Sequence, residues 1–229
     1  MIHRHLDKEL LGLKEKLLLM GGLVESQIQG ALRALTERDG GLARRVIETD
    51  HRVNALDVEV DEDCLRLLAL QQPAGRDLRF ITTAMKISTE LERMSDLAEN
   101  VSERALELNE EPQLKPYIDI PRMANWTMRM VKDSLDAFVN RDATLARKVI
   151  ADDDFVDDLT EQLFRELLSF MLENPKTITR AIRLTFIGKY FERIADHATN
   201  IAELVVYMAE GKIIRHTEPS SKQPMTDGE

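Results

Sequence analysis

The chain has 229 residues, 43% hydrophobic and only 5% aromatic, with 10 Gly and 7 Pro. That suits a helical protein with substantial cores and is too poor in aromatics for a typical all-β chain. A net charge of -10 argues against a nucleic-acid ligand, which needs a basic surface, and leaves metal cations or a basic patch on another protein as partners. The single Cys64 has no internal disulfide partner, no apolar stretch approaches the ~20 residues of a membrane span, and charges at Arg4, Asp7, Lys8 and Glu9 do not fit a signal peptide. A cytoplasmic protein is therefore expected.

Six helices are predicted. The first runs from about His5 to Arg38. Asp39 caps a second, which continues to about Gln71 and is broken by Gln72-Pro73-Ala74-Gly75. A third spans about Asp77 to Leu108, and Asn109-Glu110-Glu111-Pro112 with Pro116 and Pro121 reads as a linker. The fourth starts near Pro121, a residue suited to a first helical turn. Asp142 caps the fifth, which Asn174-Pro175 ends, and the sixth runs from about Thr177 to Glu210 and stops at Gly211. Short loops between long helices make neighbours antiparallel. The expected architecture is all-α: two tandem three-helix bundles, residues 1–110 and 122–211, joined by a linker at 111–121. Residues 212–229 are polar and expected to be disordered.

The two bundles are copies. At an offset of 100, Glu92, Arg93, Asp96, Ala98, Asn100 and Glu103 meet Glu192, Arg193, Asp196, Ala198, Asn200 and Glu203. Earlier in the chain the offset is 103: Arg38-Asp39 meets Arg141-Asp142, Asp50 meets Asp153, and Val53 meets Val156. Pro73 meets Pro175 at an offset of 102, so the drift falls in loops. Packing alone would preserve apolar character and let surface identities change. Here polar identities persist.

Their placement is informative. At about 100° per residue, Glu92, Asp96, Glu99, Asn100 and Glu103 share one stripe, nearly opposite Leu91, Met94, Leu97, Ala98 and Val101. The plain reading is an apolar face inward and a solvated face outward. A solvated face, however, demands neither Asp at both 96 and 196 nor Asn at both 100 and 200. On the second and fifth helices, Asp50, Asn54, Asp57 and Asp61 share a face, as do Asp153 and Asp157. Carboxylates at i and i+4 on two antiparallel helices can surround a cation, and all-oxygen donors favour magnesium, calcium, manganese or iron. Arg93 and Arg193 are the competing source of positive charge. His51 and His197 adjoin the acids but fall outside the repeated pattern, since their counterparts are Asp154 and Leu97. His3, His5 and His216 read as solvated, Met85, Met94, Met128 and Met130 as core filler, Trp126 as a core anchor, and the basic residues between Lys176 and Arg183 as solvated.

The Glu-Arg-x-x-Asp-x-x-x-Asn pattern of the third and sixth helices resembles the PhoU family of bacterial phosphate-signalling regulators. So do the Asp-x-x-Val-Asn/Asp-x-Leu runs at Asp50 and Asp153 and the Gln72-Pro73 break. The resemblance extends over residues 1 to about 216. It implies tandem three-helix bundles and multinuclear iron or zinc on paired acidic motifs. The implied metal ligands are Asp50, Glu92 and Asp96 in the first half, and Asp153, Asp157, Glu192 and Asp196 in the second. Asn54, where a full motif has Asp, implies weaker metal binding in the first half. The resemblance further implies a regulator and homodimer that works through binding. Its partners would be the ATPase subunit of a phosphate ABC transporter and a sensor histidine kinase, and it would restrain the phosphate-starvation response. The alternative is a carboxylate-bridged metal enzyme or metal-storage bundle of the ferritin kind. Those use Glu-x-x-His on facing helices, whereas the third residue after Glu92 is Ser95 and after Glu192 is Ala195. No Ser-His-Asp set, nucleotide-binding glycine loop or reactive-cysteine motif is found.

Overall fold

The structure, a computed structural model, describes residues 2–212 and 214, with residues 2–5 described by their backbone alone. It contains α1 (Ile2–Thr36), α2 (Gly40–Gln71), α3 (Gly75–Asn109), α4 (Asp119–Asn140), α5 (Ala143–Glu173) and α6 (Ile178–Glu210), with a 3-10 turn at Pro175–Thr177 before α6. No strand occurs among the described residues, and no helix is long and apolar enough to cross a membrane. The segment from 215 onward, expected to be disordered, lies outside the described residues.

The duplication is visible in the turns. Arg38 and Arg141 both adopt left-handed backbone, with φ of 56° and 54°. This conformation is unfavourable for a side chain with a Cβ, and it reverses the chain directly after a helix. The next residue caps the next helix in both halves. Asp39 accepts from the Leu42 amide at 2.9 Å, and Asp142 accepts from the Thr144 and Leu145 amides at 2.9 and 3.0 Å. Each cap satisfies N–H groups that have no partner inside the helix. The α2–α3 and α5–α6 turns diverge. The first uses left-handed Gln72 and Gly75, and the second uses Asn174, which accepts from the Lys176 amide at 3.1 Å. Gly211, with φ of 73°, ends α6.

α1, α2 and α3 pack together, and so do α4, α5 and α6, giving two three-helix bundles. The bundles also pack on each other through α3 against α6 and α1 against α4. The buried apolar residues form one continuous core across both. α3 and α6 cross antiparallel, since Glu90 pairs with His197 while Glu107 pairs with Arg183. Gly21 faces α4 where no Cβ fits without a shift, because a Cβ there would lie 2.2 Å from Leu135 Cδ1. Phe80 stacks on Phe138 across the same junction, with ring centroids 5.3 Å apart.

Three local expectations change. α4 starts at Asp119, two residues before Pro121, and the buried Asp119 carboxylate pairs with Arg122 at 3.3 Å. Arg180 and Arg183, expected to be solvated, instead fasten the inter-bundle linker. Arg183 Nε reaches Glu107 at 2.6 Å and its other arm pairs with Glu111, while Arg180 donates to the Pro112 carbonyl at 2.8 Å. Trp126 is half-buried rather than a core anchor. Its indole N–H donates to the Asp152 carbonyl at 3.1 Å and its ring packs on Phe155. Met94 and Met130 are buried in the core, and Met85 and Met128 pack against it.

Candidate functional site

Two grooves hold the acidic residues, one between α2 and α3 and the other between α5 and α6. In the first, Asp50 is buried on α2 and each of its oxygens accepts one hydrogen bond. The Ser95 hydroxyl on α3 donates to its Oδ1 at 2.7 Å, and the Asn54 amide donates to its Oδ2 at 2.7 Å. Gln27 of α1, also buried, lies behind them with its Oε1 2.9 Å from the same hydroxyl. Asp50, Asp96 and Glu99 each place one carboxylate oxygen within 4.8 Å of the others. Burial raises the Glu92, Asp96 and Glu99 carboxyls above their ordinary range. Asp96 adds to this at Glu92, and Asp50 adds to it at Asp96 and Glu99. Further along α2, the Ser88 hydroxyl on α3 holds Asp57.

The second groove has the same acids with less support. Asp153 has an oxygen that is buried and lacks any hydrogen-bond partner among the described residues. Burial, followed by the charges of Asp196, Asp157, Asp154 and Glu192, pushes its carboxyl up to about 7. Asp157 and Asp196 are raised by lost hydration and then by Glu192. One oxygen of Glu192 takes a contact from Lys189 at 2.5 Å, and the other is buried without a hydrogen-bond partner among the described residues.

Sequence differences between the copies account for this contrast. At offsets of 103 and 100, Gln27, Asn54 and Ser95 become Met130, Asp157 and Ala195. The three side chains that surround or engage Asp50 are thus replaced by two apolar groups and a second acid. A buried carboxylate without donors is costly when ionised, so the proton is retained to higher pH.

The predicted ligands line one groove in each half, but only the first groove brings three carboxylates within 4.8 Å of one another, with one change of membership, and no such group forms in the second among the described residues. Glu99 joins Asp50 and Asp96 in the tight group of the first groove, while Glu92 lies beyond it. Glu99 shares the Glu92 stripe, but its counterpart is Thr199, so the repeat gave no reason to single it out. Lys189 was also missed, being Thr89 in the other copy. The expected competition from arginine is slight. Arg93 stands 4.0 Å from Glu92 and is exposed, and Arg193 makes no ion pair among the described residues. His197 is engaged elsewhere, its Nδ1 2.7 Å from Glu90 at the α3–α6 junction, and His51 is exposed on α2.

Chemically, both grooves offer only oxygen donors. The Asp50, Asp96 and Glu99 set fits a hard divalent cation, which would also relieve the mutual repulsion that adds to the effect of burial on these carboxyls. Ser95 and Ala195 occupy the positions where a ferritin-like site needs histidine.

Comparison with known proteins agrees with this duplicated arrangement. The family model described as "PhoU domain" matches twice, over residues 17–105 and 120–205. A relative from Aquifex aeolicus, described as a phosphate-specific transport system accessory protein PhoU homolog, is 45% identical over 217 residues, spanning 95% of this chain and 98% of its own. The Escherichia coli phosphate-specific transport system accessory protein PhoU is 34% identical over 210 residues, spanning 92% of this chain and 87% of its own. The crystal structure of PhoU from Pseudomonas aeruginosa superposes with a TM-score of 0.87 at 40% identity, covering 90% of this chain and 99% of the other. The phosphate transport system regulatory protein PhoU from Streptococcus pneumoniae gives a TM-score of 0.85 at 30% identity, with 91% and 99% covered. Two matched domains, full-length relatives and a shared six-helix fold establish that this chain belongs to the PhoU family.

Proposed function

We propose that this protein regulates phosphate uptake by binding rather than by turnover. It would link the ATPase subunit of a phosphate ABC transporter to a sensor histidine kinase in the cytoplasm, and hold the phosphate-starvation response off while phosphate is plentiful. The observation that supports this most directly is a pair of equivalent acidic grooves in a chain whose full-length relatives are named accessory proteins of phosphate-specific transport. In this reading the grooves are docking faces for basic patches, and the protein works as a homodimer.

A bound cation completes the reading. Asp50, Asp96 and Glu99, with Glu92 at the rim, would hold it in one groove, and Asp153, Asp157, Glu192 and Asp196 in the other. The donor set ranks iron ahead of zinc, whose structural sites draw on Cys and His. The cation would supply positive charge where carboxylates now repel one another. The chain's own residues do the rest: Ser95 and Asn54 fix the Asp50 carboxylate, and Lys189 holds one arm of Glu192.

The test is a deletion strain combined with binding to purified partners. Loss of the protein should derepress phosphate-starvation genes in phosphate-rich medium. Binding to the kinase or the ATPase should weaken with salt, as expected for charge-steered association. Normal repression in the deletion strain, with neither partner bound at low salt, would overturn the reading.

A further inference from the structure

The near two-fold relation between the bundles exposes a place where it fails. Where α3 ends and α6 begins, Arg180 and Arg183 are neutralised by Glu107 and Glu111. At the opposite end of the same crossing, α3 begins and α6 ends. By the offset of 100, Glu107 and Glu111 become Tyr207 and Gly211 there, while Arg180 and Arg183 become Phe80 and Thr83. The carboxylates are lost. The guanidinium groups are not: Arg76 and Arg79 lie four residues before Phe80 and Thr83, one turn earlier on the same flank of α3.

A third arginine joins them. Arg76, Arg79 and Arg141 line a cavity of about 170 Å³ with Met208 and Ala209 of α6. None of the three has an ion pair or a side-chain hydrogen bond among the described residues, and the buried Nε of Arg79 is without an acceptor. The charged end of Arg141 lies 6.0 Å from the Phe80 ring centroid. Asp77 shares a neighbouring cleft with Arg141 but makes no ion pair with it. Arg79 is half-buried and Arg76 and Arg141 are exposed, and no carboxylate neutralises any of the three among the described residues. A buried N–H without an acceptor destabilises the fold unless something occupies the site.

We propose that this cavity binds a phosphoryl oxyanion, held by Arg76, Arg79 and Arg141 at the junction of the two bundles. The planar fork of arginine matches paired phosphate oxygens, and three forks can engage a tetrahedral anion from different sides. The anion takes the place that Glu107 and Glu111 fill at the other end, and so ties α3 to the turn after α4 against Met208 and Ala209 of α6. The site is separate from the acidic grooves and stands whether or not those hold metal.

Calorimetric titration of the full-length, chelator-treated protein with inorganic phosphate at constant ionic strength tests this. Chelation removes any metal-bridged binding. One saturable site per chain is expected. Arg79→Ala should weaken it at least tenfold, and Ala209→Glu, which places a carboxylate in the cavity and leaves the arginines intact, should abolish it. Glu192→Ala should leave it unchanged. Glycerol phosphate distinguishes the sources. Rejection of the ester assigns the site to the free anion, and equal binding assigns it to a phosphoryl group on a larger molecule. Absence of saturable binding, or unchanged binding in both Arg79→Ala and Ala209→Glu with native helicity, overturns the proposal.

Discussion

Ser95 on α3 donates to Asp50 on α2 at 2.7 Å, and the equivalent position facing Asp153 holds Ala195. Together with the loss of the Asn54 amide, replaced by Asp157, this leaves an Asp153 oxygen without a donor among the described residues. The copies kept Asp50/Asp153, Glu92/Glu192 and Asp96/Asp196 and diverged in what surrounds them, which gives the two grooves different responses to protons and to cations.

The first response is to pH. The Asp153 carboxyl is raised in the folded protein to about 7 from an ordinary 3.8. Between those values the native state binds more protons than the unfolded chain, so stability falls as pH rises. The contribution is fully present below about 3.8 and is lost as pH passes 7. Urea unfolding of metal-free protein between pH 5 and 8 should show this slope, and Asp153→Asn should flatten it. An unchanged slope in the variant would assign the effect to other groups.

Ala195→Ser should transplant the support that Asp50 enjoys. The new hydroxyl would stabilise the metal-free protein by about 1 kcal/mol, less about 0.5 kcal/mol for the helix preference of Ala. It should also lower the titration point of Asp153, read by carboxyl NMR. The converse change, Ser95→Ala, removes a donor from buried Asp50 and should cost about 1–3 kcal/mol. No loss on removing that donor would show that water replaces it.

Metal content should follow the acids. Glu192→Ala combined with Asp196→Ala is expected to remove metal from the second groove and leave the helix content unchanged, because neither side chain belongs to the core. Asn54→Asp should tighten binding in the first groove by adding a fourth carboxylate beside Asp50, Asp96 and Glu99. Elemental analysis of protein purified without chelator checks both. Metal per chain equal to that of the parent in the double variant would refute the ligand assignment.

Gly21 tests the union of the bundles. Any Cβ there meets Leu135. Gly21→Val should destabilise by about 1–3 kcal/mol through overpacking. Because the core is continuous, the chain should still unfold in a single transition followed by helix content and by Trp126 fluorescence. Two separated transitions would mean that the bundles are energetically independent.

Much of this was legible in the sequence because it rests on local signals. Helix ends at Asp39, Asp142, Asn174 and Gly211 follow from capping chemistry that needs no tertiary context. The repeated polar identities marked the acidic faces of α2, α3, α5 and α6. What the chain concealed depends on crossings between distant segments. Glu99 and Lys189 lie outside the repeat, so nothing in the pattern marked them. Arg180 and Arg183 looked like a solvated run, since their acids lie far back in the chain at Glu107 and Glu111. Ser95 read only as a missing histidine ligand, and its role appears once α2 and α3 are brought face to face.

The α3–α6 crossing also constrains how the protein is made. α6 is the last helix among the described residues, and α3 ends at Asn109. A ribosome adds the roughly 100 intervening residues in about 5–20 s. Throughout that interval the flank of α3 that α6 will cover faces solvent. The finished first bundle therefore emerges sticky on one side, and it is most exposed to chaperones, or to mispairing with another nascent copy, until the closing helix arrives.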